Sequence, residues 1–247
     1  MIVAEGLRKA FRSQAVLRGM TFAACPGEIT LMVGPNGAGK STTLKVLAGL
    51  VRADAGAARI GGDEIGIDRR ATQRRLSFLP QSPNFHPRFT CLQILSFYAR
   101  LRGVPPARIA GVLDRTGLGD AAKVPTRALS GGMRQRLGLA LLMLPDAEVL
   151  LLDEPGLSLD PDWRVQLQQH LRDEASRGKT VLVTTHLLGE WNGAAHRCLL
   201  CREGRIEREI DPDDLAAAFP STPAATAAAT VRRASLEGNH DVCPFPA

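Results

Sequence analysis

The sequence predicts an α/β fold with a mainly parallel sheet, an antiparallel β subdomain and an inserted helical subdomain. An apolar run at 29–33 leads through a glycine-rich loop into a segment with helical apolar spacing at 44–50. Two further apolar runs, at 149–152 and 180–185, are typical of parallel strands buried on both faces. Residues 1–24 alternate apolar and polar side chains around a turn near 12–14, which predicts a strand pair.

Composition indicates an ordinary globular protein. The chain has 247 residues, of which 45% are hydrophobic and 23% charged, so it can bury a sizeable core. No apolar run approaches the roughly 18 to 20 residues of a membrane helix, and the first residues do not resemble a signal peptide. We therefore expect a cytoplasmic protein.

The net charge bears on the kind of binding partner, and the cysteine content on whether disulfides form. The net charge of +6 comes mostly from scattered arginines, which favours solvated faces, with anionic lipid or an acidic partner as the alternative. No nucleic-acid partner is expected. The five cysteines are odd in number and widely spread, which predicts reduced thiols rather than a disulfide framework.

The loop between the first apolar run and its helix has the composition of a phosphate cradle. Its glycines allow consecutive backbone N–H groups to converge on an anion, and the helix that follows points its positive end at the same place. Lys40 would bring a full charge to the β- and γ-phosphates, and Ser41 a hydroxyl to Mg²⁺. A turn without a ligand is the alternative. The candidate phosphate-binding residues are Gly34, Pro35, Asn36, Gly37, Ala38, Gly39, Lys40, Ser41 and Thr42.

Two short β segments come next. A strand-turn-strand pattern covers 58–67, and the run at 76–79 is typical of a buried strand that Pro80 ends. Gln81 follows it, either as a plain loop residue or as an amide whose oxygen meets Mg²⁺.

The pattern becomes helical after Thr90. One amphipathic helix is expected up to about Leu101 and another beyond Pro105 and Pro106, which predicts an inserted helical region. Ser130 then caps a further helix, and Gly131 and Gly132 leave its first N–H groups bare. An anion site and a ligand-free cap explain that helix start equally well.

Carboxylates and a histidine follow the last two buried strands. Asp153 is placed to hold Mg²⁺, directly or through water, and Glu154 to polarise an attacking water, because buried carboxylates need such a partner. Asp160 precedes a helix expected to end at Gly178. His186 follows the strand at 180–185 and could reach a γ-phosphate, although a lone histidine is more often a surface or core residue.

The last part of the chain is less regular. Residues 197–209 predict two edge strands, and 220–247 have the composition of a flexible tail. Within the first of these strands, Cys198 and Cys201 are three residues apart and should face opposite sides, which disfavours a shared metal.

Taken in order, these motifs resemble the ATP-binding cassette (ABC) ATPase family over residues 1–217. The most specific match is Leu-Ser-Gly-Gly-Met-Arg-Gln-Arg at 129–136, ahead of Leu-Leu-Leu-Asp-Glu-Pro at 150–155, because generic phosphate-loop ATPases lack the first motif. The resemblance implies a P-loop NTPase core, with an ATPase domain at 1–219, a helical subdomain at about 85–145 and a tail at 220–247.

The resemblance also implies roles for single residues. Phe11 would stack on adenine, Gln81 would sense Mg²⁺, and Glu154 would act on the water while His186 clamps the γ-phosphate. Ser130, Gly131 and Gly132 would complete the site of a second copy, and Asp160 would take part in binding the nucleotide. Lys40 would join Glu154 and His186 in catalysis, and the metal residues would be Ser41, Gln81 and Asp153. Met133 and Gly156 depart from the common pattern, which could alter the rate.

The expected protein is the ATP-hydrolysing subunit of a multi-component transporter. It would pair head to tail with a second copy around ATP and Mg²⁺, and dock on an integral membrane permease through residues 82–101 at the cytoplasmic face of the inner membrane. Export is the expected direction, because the single compact cassette is similar to those of short exporters. Residues 184–191, with the cysteine pair at 198 and 201, are similar to the cassette that accompanies copper-site maturation of nitrous oxide reductase. A non-transport ABC ATPase acting on ribosomes or DNA is the alternative.

Overall fold

The computed structural model describes residues 1–67, 69–186, 191 and 193–212. The expected flexible tail at 220–247 lies outside these residues. Ten strands and six α-helices are described, together with one short 3₁₀ turn at Thr126–Ala128. They are β1 (Ile2–Phe11), β2 (Gln14–Ala24), β3 (Ile29–Val33), α1 (Lys40–Leu47), β4 (Ala55–Ile60), β5 (Asp63–Glu64), α2 (Arg69–Arg75), β6 (Leu76–Leu79), α3 (Cys91–Arg102), α4 (Arg108–Arg115), α5 (Gly131–Met143), β7 (Val149–Asp153), α6 (Pro161–Ser176), β8 (Thr180–Thr185), β9 (Arg197–Arg202) and β10 (Arg205–Ile210).

A six-stranded sheet forms the centre, in the order β10-β9-β3-β8-β7-β6. Its strands run parallel except β10, which is antiparallel to β9, so the predicted mainly parallel sheet is confirmed. The expectation of two edge strands after residue 197 is wrong for β9, which pairs with β3 on its other side. The reason is burial: Cys198, Leu199, Leu200 and Cys201 are all buried, as in an interior strand.

The predicted antiparallel part is a four-stranded sheet in the order β2-β1-β4-β5. The turn expected near 12–14 joins β1 to β2, and the predicted strand-turn-strand unit corresponds to β4 and β5, with β4 beginning earlier, at Ala55. Side chains such as Met20 and Ile60 pack with Leu44 of α1 and with Met32 and Leu151 of the central sheet. This first core therefore joins the two sheets around the helix that follows the phosphate loop.

The opposite face of the central sheet is covered by α6 and part of α5. Leu167 and Leu171 pack there with Leu31 and Val183. A third core has its buried members between 91 and 144, on α3, α4 and α5. Helix α3 begins after Thr90, as the pattern predicted, and Thr90 forms a capping box with Gln93.

The cysteines differ from the expectation at one position. Cys198 belongs to the core under α6 and Cys201 to the core under α1, so the two thiols face opposite sides of the sheet as predicted. Cys91, Cys198 and Cys201 are free thiols, whereas Cys25 is disulfide-bonded, so the prediction of reduced thiols is wrong for Cys25. Number and spacing did not reveal this, because a single bridge depends on proximity in the fold. Among the described helices, none has the length and apolar character needed to cross a bilayer.

Candidate nucleotide site

The central sheet collects the predicted site residues at one edge. Strands β3, β8, β7 and β6 are parallel, so their carboxyl ends lie together. In register, Met32 lies opposite Thr184, and Thr184 lies opposite Asp153. The phosphate loop, Glu154, His186 and Gln81 all follow directly on these strand ends.

Two positions of the phosphate loop require glycine, because each has a positive φ and lies close to a backbone carbonyl oxygen of a neighbouring strand. Gly34 has φ 149°, and a Cβ there would lie 2.1 Å from the carbonyl oxygen of Cys201. Gly39 has φ 98°, where other residues are strained, and a Cβ there would lie 3.2 Å from the carbonyl oxygen of Val16 in β2. The loop is thus enclosed by β9 on one side and β2 on the other. Because side chains at these positions would clash, only glycine allows the loop to reach this conformation.

Lys40 is the first residue of α1 and is only 6% exposed. Its Nζ donates hydrogen bonds to the carbonyl oxygens of Gly34 (2.7 Å) and Pro35 (3.2 Å), which hold the ammonium across the loop. Within the described part of the chain it forms no ion pair with a carboxylate. Its charge, added to the positive end of α1, is therefore free to meet an anion.

Asp153 is a buried carboxylate held by hydroxyl groups. Its Oδ1 accepts hydrogen bonds from Ser41 Oγ (2.9 Å) and Thr184 Oγ1 (2.6 Å), and the residue is 2% exposed. No cationic side chain among the described residues pairs with it. A buried, unpaired carboxylate next to a serine hydroxyl fits Mg²⁺, since this ion takes hard oxygen ligands.

Glu154 and His186 are in direct contact. The Glu154 Oε2 lies 2.8 Å from Nδ1 of His186 and accepts a second hydrogen bond from its backbone N–H at 3.2 Å. Glu154 has φ 49°, an unusual value for this residue type, and its N–H donates to the carbonyl oxygen of Thr184 (3.0 Å). Its side chain is 6% exposed and that of His186 is 43% exposed. The carboxylate is thus fixed inside the site, with the histidine between it and solvent.

Gln81 and Phe11 lie at the margins of this edge. Gln81 is exposed and follows β6, whose last residue, Leu79, lies opposite Leu152 of β7. Phe11 is 46% exposed at the end of the β1–β2 hairpin, with Nζ of Lys9 lying 5.5 Å from its ring centroid. The ring therefore has an open face close to the strand that covers the phosphate loop.

The start of α5 is capped and open to solvent. Ser130 accepts a hydrogen bond from the backbone N–H of Met133 (3.1 Å), as its N-cap position predicts. Ser130 and Gly131 are exposed, and a Cβ at Gly131 would meet nothing within 4 Å. Gln135 Nε2 donates to the carbonyl oxygen of Pro155 (3.2 Å), which attaches this helix to the loop after β7.

The start of α5 is separated from the phosphate loop of its own chain. Helix α5 packs on β6, and β6 lies three strands from β3, a lateral distance of roughly 14 Å at ordinary strand spacing. A Cβ at Gly132 would lie 3.1 Å from the carbonyl oxygen of Ser158. Asp160 lies at the end of the loop between β7 and α6, and caps α6 by accepting a hydrogen bond from the N–H of Trp163 (2.9 Å). No described contact joins Asp160 to the phosphate loop.

Sequence reasoning missed two residues of the site. The Thr184 hydroxyl donates a hydrogen bond to Asp153 Oδ1 and accepts one from the backbone N–H of Glu154 (3.2 Å). Thr184 therefore positions both acidic residues. Cys201 donates its thiol to the carbonyl oxygen of Ala38 (3.4 Å), and burial raises its pKa to about 12, so it remains a protonated support of the loop. A threonine within an apolar strand was a usable signal; the cysteine gave none.

The comparisons with known proteins agree with this geometry. The family model described as ABC transporter matches residues 17–156. The chain is 37% identical over 215 residues to the Nod factor export ATP-binding protein I of Ralstonia nicotianae, covering 85% of this chain and 67% of that protein. It is 34% identical over 214 residues to the protein of the same name from Rhizobium sp. strain N33, covering 85% and 70% respectively.

Solved structures share the fold. One described as the structure of an ATP binding subunit of an ABC transporter superposes with a TM-score of 0.81 at 26% identity, over 89% of this chain and 93% of the other. A bacterial ABC transporter cassette, described as dimeric, gives a TM-score of 0.79 over 86% and 99% of the two chains, and at 24% identity it supports the fold alone. With a phosphate loop, a buried carboxylate pair and a capped helix start at the positions described, the chain belongs to the ABC transporter family and is an ATP-binding cassette ATPase.

Proposed function

We propose that this chain is the ATP-hydrolysing subunit of an exporter, that two copies pair head to tail around ATP and Mg²⁺, and that the pair drives a separate membrane subunit from the cytoplasmic face. The similarity to Nod factor export ATP-binding proteins supports export. We further propose one ATPase domain at 1–219, with the helical subdomain at about 85–145.

The residues at the carboxyl ends of the parallel strands are arranged to bind the phosphates of ATP and Mg²⁺. Residues 34–42 hold the triphosphate, with Lys40 between the β- and γ-phosphates. Mg²⁺ would be held by Ser41 and Asp153, with Gln81 beside it, and would supply charge neutralisation between phosphate oxygens. Phe11 offers its open face to the adenine, which favours stacking because an exposed ring gains by covering a base.

Hydrolysis is assigned to Glu154. Its carboxylate orients and polarises the attacking water, and the buried position strengthens that interaction because little solvent competes. His186, in contact with the same carboxylate, donates to the γ-phosphate and keeps the water and the phosphate in register. The contact between these two residues is the single observation that carries the ATPase mechanism.

The open helix start supports the proposed pairing of two copies. Ser130 and Gly131 are exposed and Gly132 is half-buried. The backbone N–H groups of these three residues would form an anion site that the phosphate loop of their own chain does not fill. In a head-to-tail pair, each helix start meets the γ-phosphate bound by the other copy. Asp160, at the end of the loop beside this helix, then lies at the contact between copies. Loss of the γ-phosphate removes the shared ligand, which couples hydrolysis to separation.

An apolar groove supports docking on a membrane subunit. A cavity of about 570 Å³ lies along α3 and the loop before it, within the predicted docking range 82–101. Phe89 is 50% exposed and Phe97 is 55% exposed, which is unusual for aromatic side chains of a chain that works alone. A helix of a membrane subunit that presents apolar side chains would cover them.

Co-purification from membranes tests this function. The wild-type chain should be recovered with an integral membrane protein, and Phe97→Asp should abolish that recovery while leaving ATP hydrolysis by the free chain intact. Val165→Asp is the matched control, because Val165 is also largely exposed but lies on α6. Recovery with ribosomes or DNA instead would favour the non-transport alternative. Equal recovery of the Phe97→Asp chain would contradict the docking assignment.

A further inference from the structure

A second cavity, of about 270 Å³, lies at the other edge of the central sheet. It is bounded by α4, by the end of α5 and by the last two turns of α6, next to the amino end of β7. Lys179, which precedes β8, also lines it. Because Asp153 and His186 lie at the carboxyl ends of these same strands, this cavity is distinct from the nucleotide site.

Its lining is rich in positive charge. Four side chains with permanent charge face two carboxylates, Asp146 and Glu174, and a histidine also lines the cavity. The positive excess is therefore two with the histidine neutral and three with it protonated. The basic residues are Arg108, Arg115, His170, Arg177 and Lys179.

The carboxylates are already saturated by some of these cations. Lys179 pairs with both Asp146 and Glu174. Glu174 also accepts from Arg177 (2.7 Å), and Asp146 lies 3.5 Å from Arg108. Arg115 has no ion pair or hydrogen bond with any residue that the structure describes. Its guanidinium is thus a donor at the cavity whose charge no other side chain neutralises.

Helix dipoles do not account for the arrangement. Cations near a helix C-terminus are favourable, which explains Arg115 on α4 and Arg177 after α6. Arg108, however, is the first residue of α4, where a positive charge is unfavourable, and it still faces the same cavity. The common property of these side chains is the cavity and not the helix ends.

We propose that this cavity binds a small anion that carries one or two phosphoryl groups, and that the bound anion joins the helical subdomain to the core. Arginine forks match phosphoryl oxygens in pairs, and Arg108 and Arg115 supply them from α4. The volume lies just below the range of about 300 to 1,000 Å³ that holds drug-sized ligands, which suits an anion of this size. Arg177 and Lys179 contact it from the core side.

His170 gives the site a pH dependence. Burial lowers its pKa, Arg115 and Lys179 lower it further, and Glu174 and Asp173 act in the opposite direction. Asp146 and Arg108 complete the charged lining, and the pKa of Asp146 is lowered, chiefly by its hydrogen bond from Lys179, so it stays ionised. A bound anion favours the imidazolium, so it raises the pKa of His170, and by linkage binding strengthens as the pH falls through that pKa.

Titration with inorganic pyrophosphate in the absence of Mg²⁺ tests the site, with the imidazole resonances of the full chain followed by NMR. We expect a saturable shift of His170, an increase of its pKa on saturation, and the same result in the Lys40→Ala chain. Arg115→Gln should weaken binding at His170 on the order of tenfold, because a charge-assisted hydrogen bond is lost. Arg108→Gln should do the same.

Arg88→Gln is the control, since Arg88 is an exposed arginine outside this cavity. It should leave the titration unchanged. Three results would overturn the proposal: no saturable shift of His170, unchanged affinity in both cavity variants, or a shift that disappears in the Lys40→Ala chain. The last result would assign the response to the nucleotide site. The outcome is independent of the exporter function.

Discussion

The sheet edge and the start of α5 are built in opposite ways. At the sheet edge, Lys40, Asp153 and Glu154 are buried, and each is fixed by hydrogen bonds within the chain. At the start of α5, Ser130 and Gly131 are exposed. We call these the sheet-edge half-site (34–42, 153, 154 and 186) and the helix-start half-site (130–132).

This difference indicates which half-site gains more free energy from binding a nucleotide, and therefore which one binds it first. The sheet-edge half-site contains charges that need a ligand, since Asp153 is buried without a cation among the described residues. The helix-start half-site is satisfied by solvent and gains only when an anion replaces water. A nucleotide should therefore bind first to the sheet edge, and the helix start of another copy should close over it.

Removal of the charge at the sheet edge should have the largest effect on the affinity for ATP. Lys40→Met should reduce the affinity for ATP on the order of 10²-fold, because a buried ammonium opposite phosphates contributes charge-assisted hydrogen bonds. Lys45→Met is the control, since Lys45 is an exposed residue of the same helix. Fluorescent-nucleotide titration measures both. Equal affinities for the two variants would show that the sheet-edge half-site is wrongly assigned.

A change at the helix start should separate binding from turnover. A side chain at Gly131 meets open space in the free chain, so Gly131→Asp should fold normally and keep its affinity for ATP. Its carboxylate would repel the γ-phosphate of the other copy, so turnover should fall on the order of 10²-fold. Gly131→Asn, which differs only in charge, should retain much more activity. Steady-state hydrolysis and nucleotide titration are the measurements, and full activity of the Asp variant would remove the helix start from the site.

A smaller effect should distinguish positioning from direct contact at the sheet edge. Thr184→Val keeps the shape of the strand but removes the hydroxyl that bonds to Asp153, so turnover should fall on the order of tenfold, as for other residues that orient a metal ligand. The apparent Mg²⁺ requirement should rise with it. Thr180→Val, in the same strand but opposite Val149, serves as the control. An unchanged Mg²⁺ dependence would mean that Thr184 has only a packing role.

Much of this arrangement could be predicted from sequence, because the signals are local. Two motifs can be placed in the fold from the sequence next to them: the glycine-rich loop that ends in Lys40, and the carboxylates that directly follow an apolar strand. Parallel strands then bring these ends together without further information.

Other features depend on contacts between distant segments. The position of β9 inside the sheet and the contact of Glu154 with His186 both require the finished fold. Helix α2 was missed because its sequence, Arg-Arg-Ala-Thr-Gln-Arg-Arg, has no apolar periodicity. The likeness to a copper-maturation cassette remains an untested prediction, since 187–190 lie outside the described residues.

The central claim, that ATP joins two copies, is tested most directly by the mass of the Glu154→Gln chain in solution. This variant should bind ATP and Mg²⁺ but hydrolyse it on the order of 10²-fold more slowly, because the catalytic carboxylate is neutralised. Light scattering with ATP and Mg²⁺ should then give twice the 26.5 kDa of one chain, and 26.5 kDa with ADP. A mass of 26.5 kDa with ATP bound would contradict the account.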